Sequence, residues 1–501
     1  MFKSFYYLLI ISFINGAIAV LAFAPFAYYP VLLFSNGLLF FLLQRSSCQQ
    51  AFWIGYCYAL GLMGFGVFWL RISFDEFNHL GLFLSTFLVF GFIFAISFYF
   101  AFIALFARFL AQKGGVARQL LIISLVWVLG EGFRSWFLTG FPWLTSGYAF
   151  IDSPLAGFAP ILGVYGVSLA GALSVVLLLY FILKVKPQLS ISLFILLWLG
   201  AGLLLSFEWT TKQSKSLTIA LFQANISQQL KWQPQQLMPT LKMHMQATHE
   251  NADVDLMIWA ETAIPILAKR IETTFLSPLE KQLKAQQRGV LTGIPIIEES
   301  QLFNALLLIG ESQRQIYKKH HLVPFGEYQP IAFIQPIIDY FGIPMSNFSQ
   351  GEQGSSILRF KGFNLGVSIC YEDVFSRQIR QAMPQADILI NVSNDAWFGD
   401  SIAPYQHLQM ARMRALENGR YFIRATNTGI SAIMNEKGNV IEVMPLSKKG
   451  VLNQTIPQIT GLTPFARYGE TPFWLLLILS LIFVYFKPIK TSFENSLIYK
   501  S

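Results

Sequence analysis

Asn364-Leu-Gly-Val-Ser-Ile369 is a short apolar run that reads as a buried strand, and it ends on Cys370 and the polar Tyr371-Glu-Asp373. Asp255-Leu-Met-Ile-Trp-Ala260 ends in the same way on Glu261, and Gln315–Lys319 closes on Lys319. Leu217–Gln223, Gly289–Ile296, Asn304–Ile309, Asp387–Val392 and Tyr421–Thr426 also read as strands. Between them, helical patterns fall at Gln233–Glu250, Ile271–Gln287, Val374–Met383 and Pro404–Asn418, and a hairpin over Ile430–Met444 turns at Glu436-Lys-Gly-Asn439. This partial alternation predicts a layered α/β domain whose sheets are covered by helices. Reactive residues in such domains lie where strands end and loops meet.

Outside this polar stretch the chain changes character. Its 501 residues are 54% hydrophobic and only 13% charged, with a mean hydropathy of +0.50. The excess is concentrated before residue 208 and again at 472–486, which marks a membrane and not an oversized core. Spans are expected near 5–24, 28–44, 51–71, 80–106, 119–138, 160–183, 190–207 and 472–486. That makes about eight helices, the one carrying Glu131 and Arg134 being the least regular. The first reads as an uncleaved helix, because no small-residue cleavage signal follows it. Three parts are expected: a bundle over 1–207, a polar domain over 208–470, and a last helix with a tail over 471–501.

Loop charge sets the orientation. With the N-terminus inside, the inner loops hold Arg45, then Arg108, Lys113 and Arg118, then Lys184 and Lys186, and finally Lys487, Lys490 and Lys500. The short outer loops hold Asp75, Glu76 and Asp152, with Arg134 as the exception. Seven crossings then put 208–470 on the outer side. The outer loop Thr139-Gly-Phe-Pro-Trp-Leu-Thr-Ser-Gly-Tyr148 reads as an interfacial aromatic belt or as part of a lipid-facing entrance, with Trp143 at its centre. The net charge of +9 is accounted for by juxtamembrane Lys and Arg. No basic run with interleaved aromatics points to nucleic acid.

The three cysteines do not form a disulfide framework, and no Cys/His spacing suits zinc, so neither a metal nor a cofactor is expected. An isolated thiol is most often a buried structural residue. Cys370 differs in having a carboxylate and an amine on comparable strand ends. A thiol near its free pKa of about 8.5 needs a base or a nearby cation before it attacks. Glu261, in partly apolar surroundings, is the candidate base. A lysine would favour the thiolate and hold an oxyanion, with the Tyr371 backbone N–H as a second donor. Lys318 and Lys319 compete for that role, and spacing does not choose between them. Glu327, in Pro324-Phe-Gly-Glu-Tyr328, is a second carboxylate able to hold the ammonium.

Glu261, Lys319 and Cys370 in this order resemble the Glu-Lys-Cys triad of the nitrilase, or carbon–nitrogen hydrolase, superfamily. Within it the chain resembles the bacterial apolipoprotein N-acyltransferases. The likeness runs from Gly140-Phe-Pro-Trp143 through Asn391-Val-Ser-Asn-Asp-Ala-Trp-Phe-Gly399 and Gln409-Met-Ala-Arg-Met-Arg-Ala-Leu416 to Gly461-Leu-Thr-Pro-Phe-Ala-Arg467. The family pattern Tyr-x-Lys-x-His-Leu-Val-Pro-Phe-Gly-Glu puts the catalytic lysine at Lys319. It gives supporting or substrate-binding weight to Trp232, Glu327, Tyr371 and Glu372, beside Trp143 in the aromatic loop. Ala260 departs from the family, which often has Pro before the Glu.

The resemblance implies an αββα nitrilase-like domain on the periplasmic side of a multi-pass inner-membrane protein. It implies a ping-pong transfer through a thioester on Cys370. The donor would be a phospholipid, typically phosphatidylethanolamine, and the acceptor the N-terminal amine of a diacylglyceryl-cysteine on an apolipoprotein. A membrane-tethered amidase with the same triad is the competing expectation, distinguished by water as acceptor. A transporter with an inactive outer domain is the other, and would need ionisable groups inside several spans.

Overall fold

The computed structural model describes residues 2–78, 81–329, 347–352 and 356–486. The chain divides into a helical unit, Met1–Arg71 with Leu82–Phe207 and Tyr468–Ser501, and a second unit, Ile72–Gly81 with Glu208–Arg467. The division places Ile72–Gly81 with the polar domain, where Ser73 Oγ donates to the Trp397 carbonyl at 2.7 Å. The basic tail with Lys487, Lys490 and Lys500 lies outside the described residues.

In the helical unit an apolar helix falls on each expected stretch: Phe2–Ala19, Tyr29–Arg45, Cys48–Gly66, Gly81–Leu110, Val116–Arg134, Ala159–Ile182, Pro187–Ser206 and Thr471–Phe486. Among the described residues five stretches are both long and apolar enough to cross a membrane: Phe5–Ala22, Gly81–Leu110, Val116–Arg134, Pro154–Ile182 and Pro187–Ser206. Leu189, Leu193, Leu196, Leu199 and Leu203 are exposed along the last of these, as are Phe83, Phe87, Phe94 and Phe102 on Gly81–Leu110. Helices apolar on their outer faces belong in lipid, so this is a membrane protein.

Arg118, Glu131 and Arg134 are buried within the bundle and each makes hydrogen bonds there. Arg118 is buried and donates to the carbonyls of Val484 at 3.1 Å and Tyr485 at 2.9 Å, closing the end of Thr471–Phe486. Glu131 and Arg134 both sit on the helix Val116–Arg134 and are buried. Glu131 accepts from the Ser146 backbone at 3.1 Å and from its hydroxyl. Arg134 donates to the carbonyls of Phe141 at 2.5 Å and Trp143 at 2.6 Å. The pair therefore fastens the aromatic loop. Trp143 and Tyr148 are buried in consequence, Trp143 lying 5.0 Å from the Trp69 ring. An interfacial belt calls for exposed rings, so it is Trp136 and Phe137, both exposed, that meet that expectation.

The second unit holds strands β1 (Thr211–Gln223), β2 (Leu256–Trp259), β3 (Gly289–Glu298), β4 (Gln301–Ile309), β5 (Gln315–Lys318), β6 (Ile357–Phe360), β7 (Phe363–Ile369), β8 (Ile388–Ser393), β9 (Phe422–Thr426), β10 (Ser431–Met434), β11 (Val440–Met444) and β12 (Gly450–Thr460). One sheet has the order β12-β1-β2-β3-β4-β5 and the other β11-β10-β9-β8-β7-β6. In each the centre is parallel, β1-β2-β3 and β7-β8-β9, and the flanks are antiparallel.

Side-chain alternation explains the layers. Leu217, Ile219 and Leu221 of β1 join Ile258 and Leu291 on one inner face, and meet Leu365, Val367, Ile390 and Ile423 of the other sheet. The intervening Ala220 and Phe222 point outward with Met257 onto Leu241, Ala247, Leu279 and Leu283 of the helices Pro234–Glu250 and Ser277–Ala285. On the far side Leu389, Phe422 and Met434 pack against Ile379, Ala411 and Ala415. The result is the expected αββα sandwich. The helix expected over Ile271–Gln287 is shorter, because Ala268–Leu276 forms tighter and wider turns first.

The final helix depends on a close approach. A Cβ at Gly132 would stand 1.7 Å from the Trp474 ring. Gly132→Val should lower stability by about 1–3 kcal/mol, the usual cost of overpacking. Trp474→Ala in the same chain should recover part of that loss in thermal unfolding of the detergent-solubilised protein.

Candidate active site

Cys370 follows β7 directly, at a left-handed φ of 52°. That conformation is strained for a residue with a side chain, and it turns the chain sharply from strand into the turn Cys370–Val374. The elbow is fixed from behind by Asn391, whose Nδ2 donates to the Cys370 carbonyl at 3.1 Å. Glu261 lies just beyond β2. Gly293 of β3 admits this passage, since a Cβ there would stand 2.7 Å from Glu261 Cα and 2.3 Å from the Thr262 nitrogen. Lys319 follows β5, its backbone N–H donating to the Asn304 carbonyl at 2.8 Å.

These side chains converge. Lys319 Nζ, 1% exposed, stands 2.9 Å from Glu327 Oε2 and 3.6 Å from Glu261 Oε1. Asn304 Nδ2 bridges both carboxylates, donating to Glu261 Oε1 at 2.8 Å and Glu327 Oε1 at 2.9 Å. Glu327 Oε2 also accepts from the Val323 N–H at 2.8 Å. Glu261 Oε2 is buried without a hydrogen-bond partner among the described residues. One oxygen of Glu261 is thus held and the other is open to take a proton.

Glu372 ties the lysine segment to the cysteine strand. Its Oε1 accepts from the backbone N–H of His320 at 2.8 Å and His321 at 3.0 Å, and its Oε2 from Ile369 at 2.7 Å. The Tyr317 hydroxyl reaches both oxygens at 2.9 Å. Tyr371 stacks edge-on against Phe375, with ring centres 5.1 Å apart, and lies 5.9 Å from the His321 ring. Trp232 is half-exposed at the end of the short helix Gln228–Lys231, its side chain making no hydrogen bond or ring contact among the described residues. Trp143 belongs to the helical unit. Of the residues singled out from sequence, Glu261, Lys319, Cys370, Glu327 and Glu372 are gathered together.

Burial pushes the Cys370 thiol well above its ordinary pKa; Glu261 adds to the rise and Lys319 opposes it. Burial alone would pull Lys319 down, but Glu327 and then Glu261 and Cys370 outweigh it, so the ammonium is held charged. Glu372 is raised by burial against the hydrogen bonds it accepts. A protonated thiol beside a fixed cation and an open carboxylate oxygen is set up for proton transfer at the moment of attack.

A second buried cluster lies beneath the elbow. Arg424 donates to Asp373 Oδ2 at 2.9 Å and to Asp395 Oδ2 at 2.7 Å, and His407 Nε2 is 2.5 Å from Asp373 Oδ1. Burial would raise the Asp395 pKa, yet Arg424 and His407 hold it far down. Arg424 also contacts Asn391 Oδ1 at 3.4 Å, so the cluster supports the residue that holds the Cys370 carbonyl. Asn304, Asn391, Arg424 and Lys231 were not singled out from sequence. For Asn304, Asn391 and Arg424 the available signal was a polar residue inside an apolar strand, as in Asn304-Ala-Leu-Leu-Leu-Ile309; Lys231, on a short helix, gave none.

The carbon-nitrogen hydrolase family profile matches residues 218–463, the span of the two-sheet fold, and makes this unit a carbon–nitrogen hydrolase domain. The profile of the apolipoprotein N-acyltransferase N-terminal domain matches residues 15–177. The chain is 39% identical over 496 residues to the apolipoprotein N-acyltransferase of Photobacterium profundum, covering 96% of this chain and 95% of that one. It is 38% identical over 478 residues to that of Azotobacter vinelandii, covering 93% and 92%. The chain belongs to the apolipoprotein N-acyltransferase family. Among solved structures it is similar to a CN-hydrolase superfamily protein from Xanthomonas campestris, at 18% identity and a TM-score of 0.37, over 53% of this chain and 97% of that one.

The opposed fields at the sulfur give a test. With Cys48→Ser and Cys57→Ala, Cys370 is the one remaining thiol. In that background Lys319→Met should slow its reaction with methyl methanethiosulfonate near pH 8 by about tenfold or more, the effect of one pKa unit. Glu261→Gln should speed it, because the Glu261 charge raises the thiol pKa. Rates measured against pH would expose a field of the wrong sign.

Proposed function

We propose that this chain transfers a fatty acyl group from a phospholipid to the N-terminal amine of S-diacylglyceryl-cysteine on apolipoproteins, through a thioester on Cys370. The observation that carries the reading is the divided Glu261 carboxylate, with Oε1 held by Asn304 and Oε2 buried without a partner among the described residues. Such a group can accept and return a proton without moving.

In the first half-reaction the Cys370 proton passes to Glu261 as the sulfur attacks the ester carbonyl. Negative charge develops on the carbonyl oxygen, and the Lys319 ammonium is the group to stabilise it. The carbon–oxygen bond then breaks. The leaving oxygen takes the proton from Glu261, a lysophospholipid departs, and an acyl thioester remains. In the second half the acceptor amine attacks the thioester carbonyl and gives up a proton to Glu261. The carbon–sulfur bond breaks, and the thiolate recovers that proton. Glu327 keeps Lys319 charged throughout, and Glu372 and Tyr371 act in positioning and contact around the elbow. Trp232 and Trp143 are assigned to substrate contact on the resemblance alone.

The favoured donor is phosphatidylethanolamine. The setting is the bacterial inner membrane, crossed by eight helices, with residues 208–470 as the catalytic domain on the periplasmic side. The excess of Arg and Lys in alternate loops supports that orientation.

Purified protein given phosphatidylethanolamine and a diacylated lipopeptide should yield triacylated product by mass spectrometry. Without acceptor it should accumulate a hydroxylamine-sensitive acyl group on Cys370. Cys370→Ser should lose transfer by on the order of a thousandfold or more. A Cys370→Ser variant as active as the parent, or an acyl group delivered to water alone, would sink the reading. Asn304→Leu should slow acylation about 10- to 150-fold, the kinetic equivalent of a hydrogen bond to a charged group worth about 1.5–3 kcal/mol. A rate within twofold of the parent would remove Asn304 from the mechanism.

A further inference from the structure

Lys231 is a buried ammonium that the mechanism above does not use. It ends the short helix Gln228–Lys231 and is only 3% exposed, although its neighbour Trp232 is half-exposed. Its Nζ donates to the backbone carbonyl of Glu261 at 3.1 Å. No carboxylate lies within 4.0 Å of it among the described residues, whereas Lys319 has Glu327 and Glu261 at that range. A long charged side chain is seldom buried without a counterion, because removing an ammonium from water is expensive. Here the compensation comes at longer range, from the field of Glu261.

The arrangement has two effects. Asn304 and Lys319 hold the Glu261 side chain, and Lys231 holds its main chain, so the base is fixed at both ends. Lys231 also changes the charge balance. Around Lys319 and Cys370 the carboxyl groups of Glu261, Glu327 and Glu372 outnumber the one ammonium, an imbalance that opposes a thiolate or an oxyanion. A second ammonium offsets it.

We propose that Lys231 is a positioning residue for the Cys370 acylation step, fixing the Glu261 peptide and, while protonated, neutralising the site as charge develops on the sulfur and the ester oxygen. The inference rests on the acyl-transfer reading given above.

The groups facing Lys231 are Glu261, Cys370 and, from the helix Pro234–Glu250, His244. His244 is driven down to about 4 by burial, so it is neutral at ordinary pH. Burial lowers Lys231 to about 8, with Glu261 and then Cys370 opposing the fall. Lys319 moves the other way and stays charged. Lys231 is therefore the site ammonium that loses its proton in the mildly alkaline range. Its contribution is present below about pH 8 and lost above it.

The test is single-turnover acylation by phosphatidylethanolamine, followed as hydroxylamine-sensitive acyl-Cys370 between about pH 6.5 and 9.5. The parent should show an alkaline limb near pH 8. Lys231→Met should be about 10- to 100-fold slower at pH 7 and should lack that limb, since it has no ammonium to titrate. Lys231→Arg keeps its charge and should retain the limb only at higher pH. If Lys231→Met does not accumulate as folded protein, Lys231→Arg carries the test alone. An alkaline limb unchanged in either variant overturns the proposal, even where the rate is lower, because a merely structural role would reduce the rate at every pH alike. A parent that forms no acyl-Cys370 refutes the acyl-transfer reading instead.

Discussion

Lys319 carries its charge where almost no water reaches, and an ammonium alone in such a place would shed its proton or cost several kcal/mol. Glu327 at 2.9 Å and Glu261 at 3.6 Å make the charge tenable. Each carboxylate in turn has the buried ammonium as its counterion. Asn304 shares its amide between them, so three charges and one dipole settle into a single arrangement. Much of the sandwich is arranged around this contact. β2 delivers Glu261, β4 delivers Asn304 and β5 delivers Lys319, all from one sheet, while Cys370 arrives from the other.

That division explains what could be read in the sequence. Strands buried on both faces give near-continuous apolar runs, and β2 and β7 stand out for that reason, with Glu261 and Cys370 just past their ends. β6 and β12 gave weaker signals. Ile357–Phe360 is four residues long, and Gly450–Thr460 mixes buried Leu452 and Ile456 with exposed polar neighbours at the margin of its sheet. Asn304, Arg424 and Lys231 were illegible for a different reason. Partners such as Glu327, Glu261 and Asp373 lie 23 to 51 residues away, and local patterning says nothing about such pairings. The choice of Lys319 over Lys318 also came from likeness to a family. Structurally the two point apart: Lys318 pairs with Glu298 toward solvent and lies over the Phe303 ring, while Lys319 faces the buried carboxylates.

The helical unit was legible in length and not in facing. A helix in lipid gains nothing from an amphipathic stripe, so its hydrophobicity does not reveal which side meets its neighbours. Facing is decided by details such as Gly132 against Trp474, or the exchange in which Asn15 and Ser35 each donate to the other's carbonyl at 2.9 and 3.1 Å. Burial of Trp143 follows similarly from the grip of Arg134 on the loop carbonyls.

Glu372 assigns its oxygens unequally, Oε1 to the backbone after β5 and Oε2 to the last residue of β7. A rigid planar group thereby spans the seam between sheets, and its two ends cannot separate by more than hydrogen-bond slack. The lysine segment and the cysteine elbow are therefore tied to each other through one carboxylate. The site thus keeps its internal geometry while the surrounding sandwich breathes, a form of preorganisation that depends on a residue with no part in the bond-making.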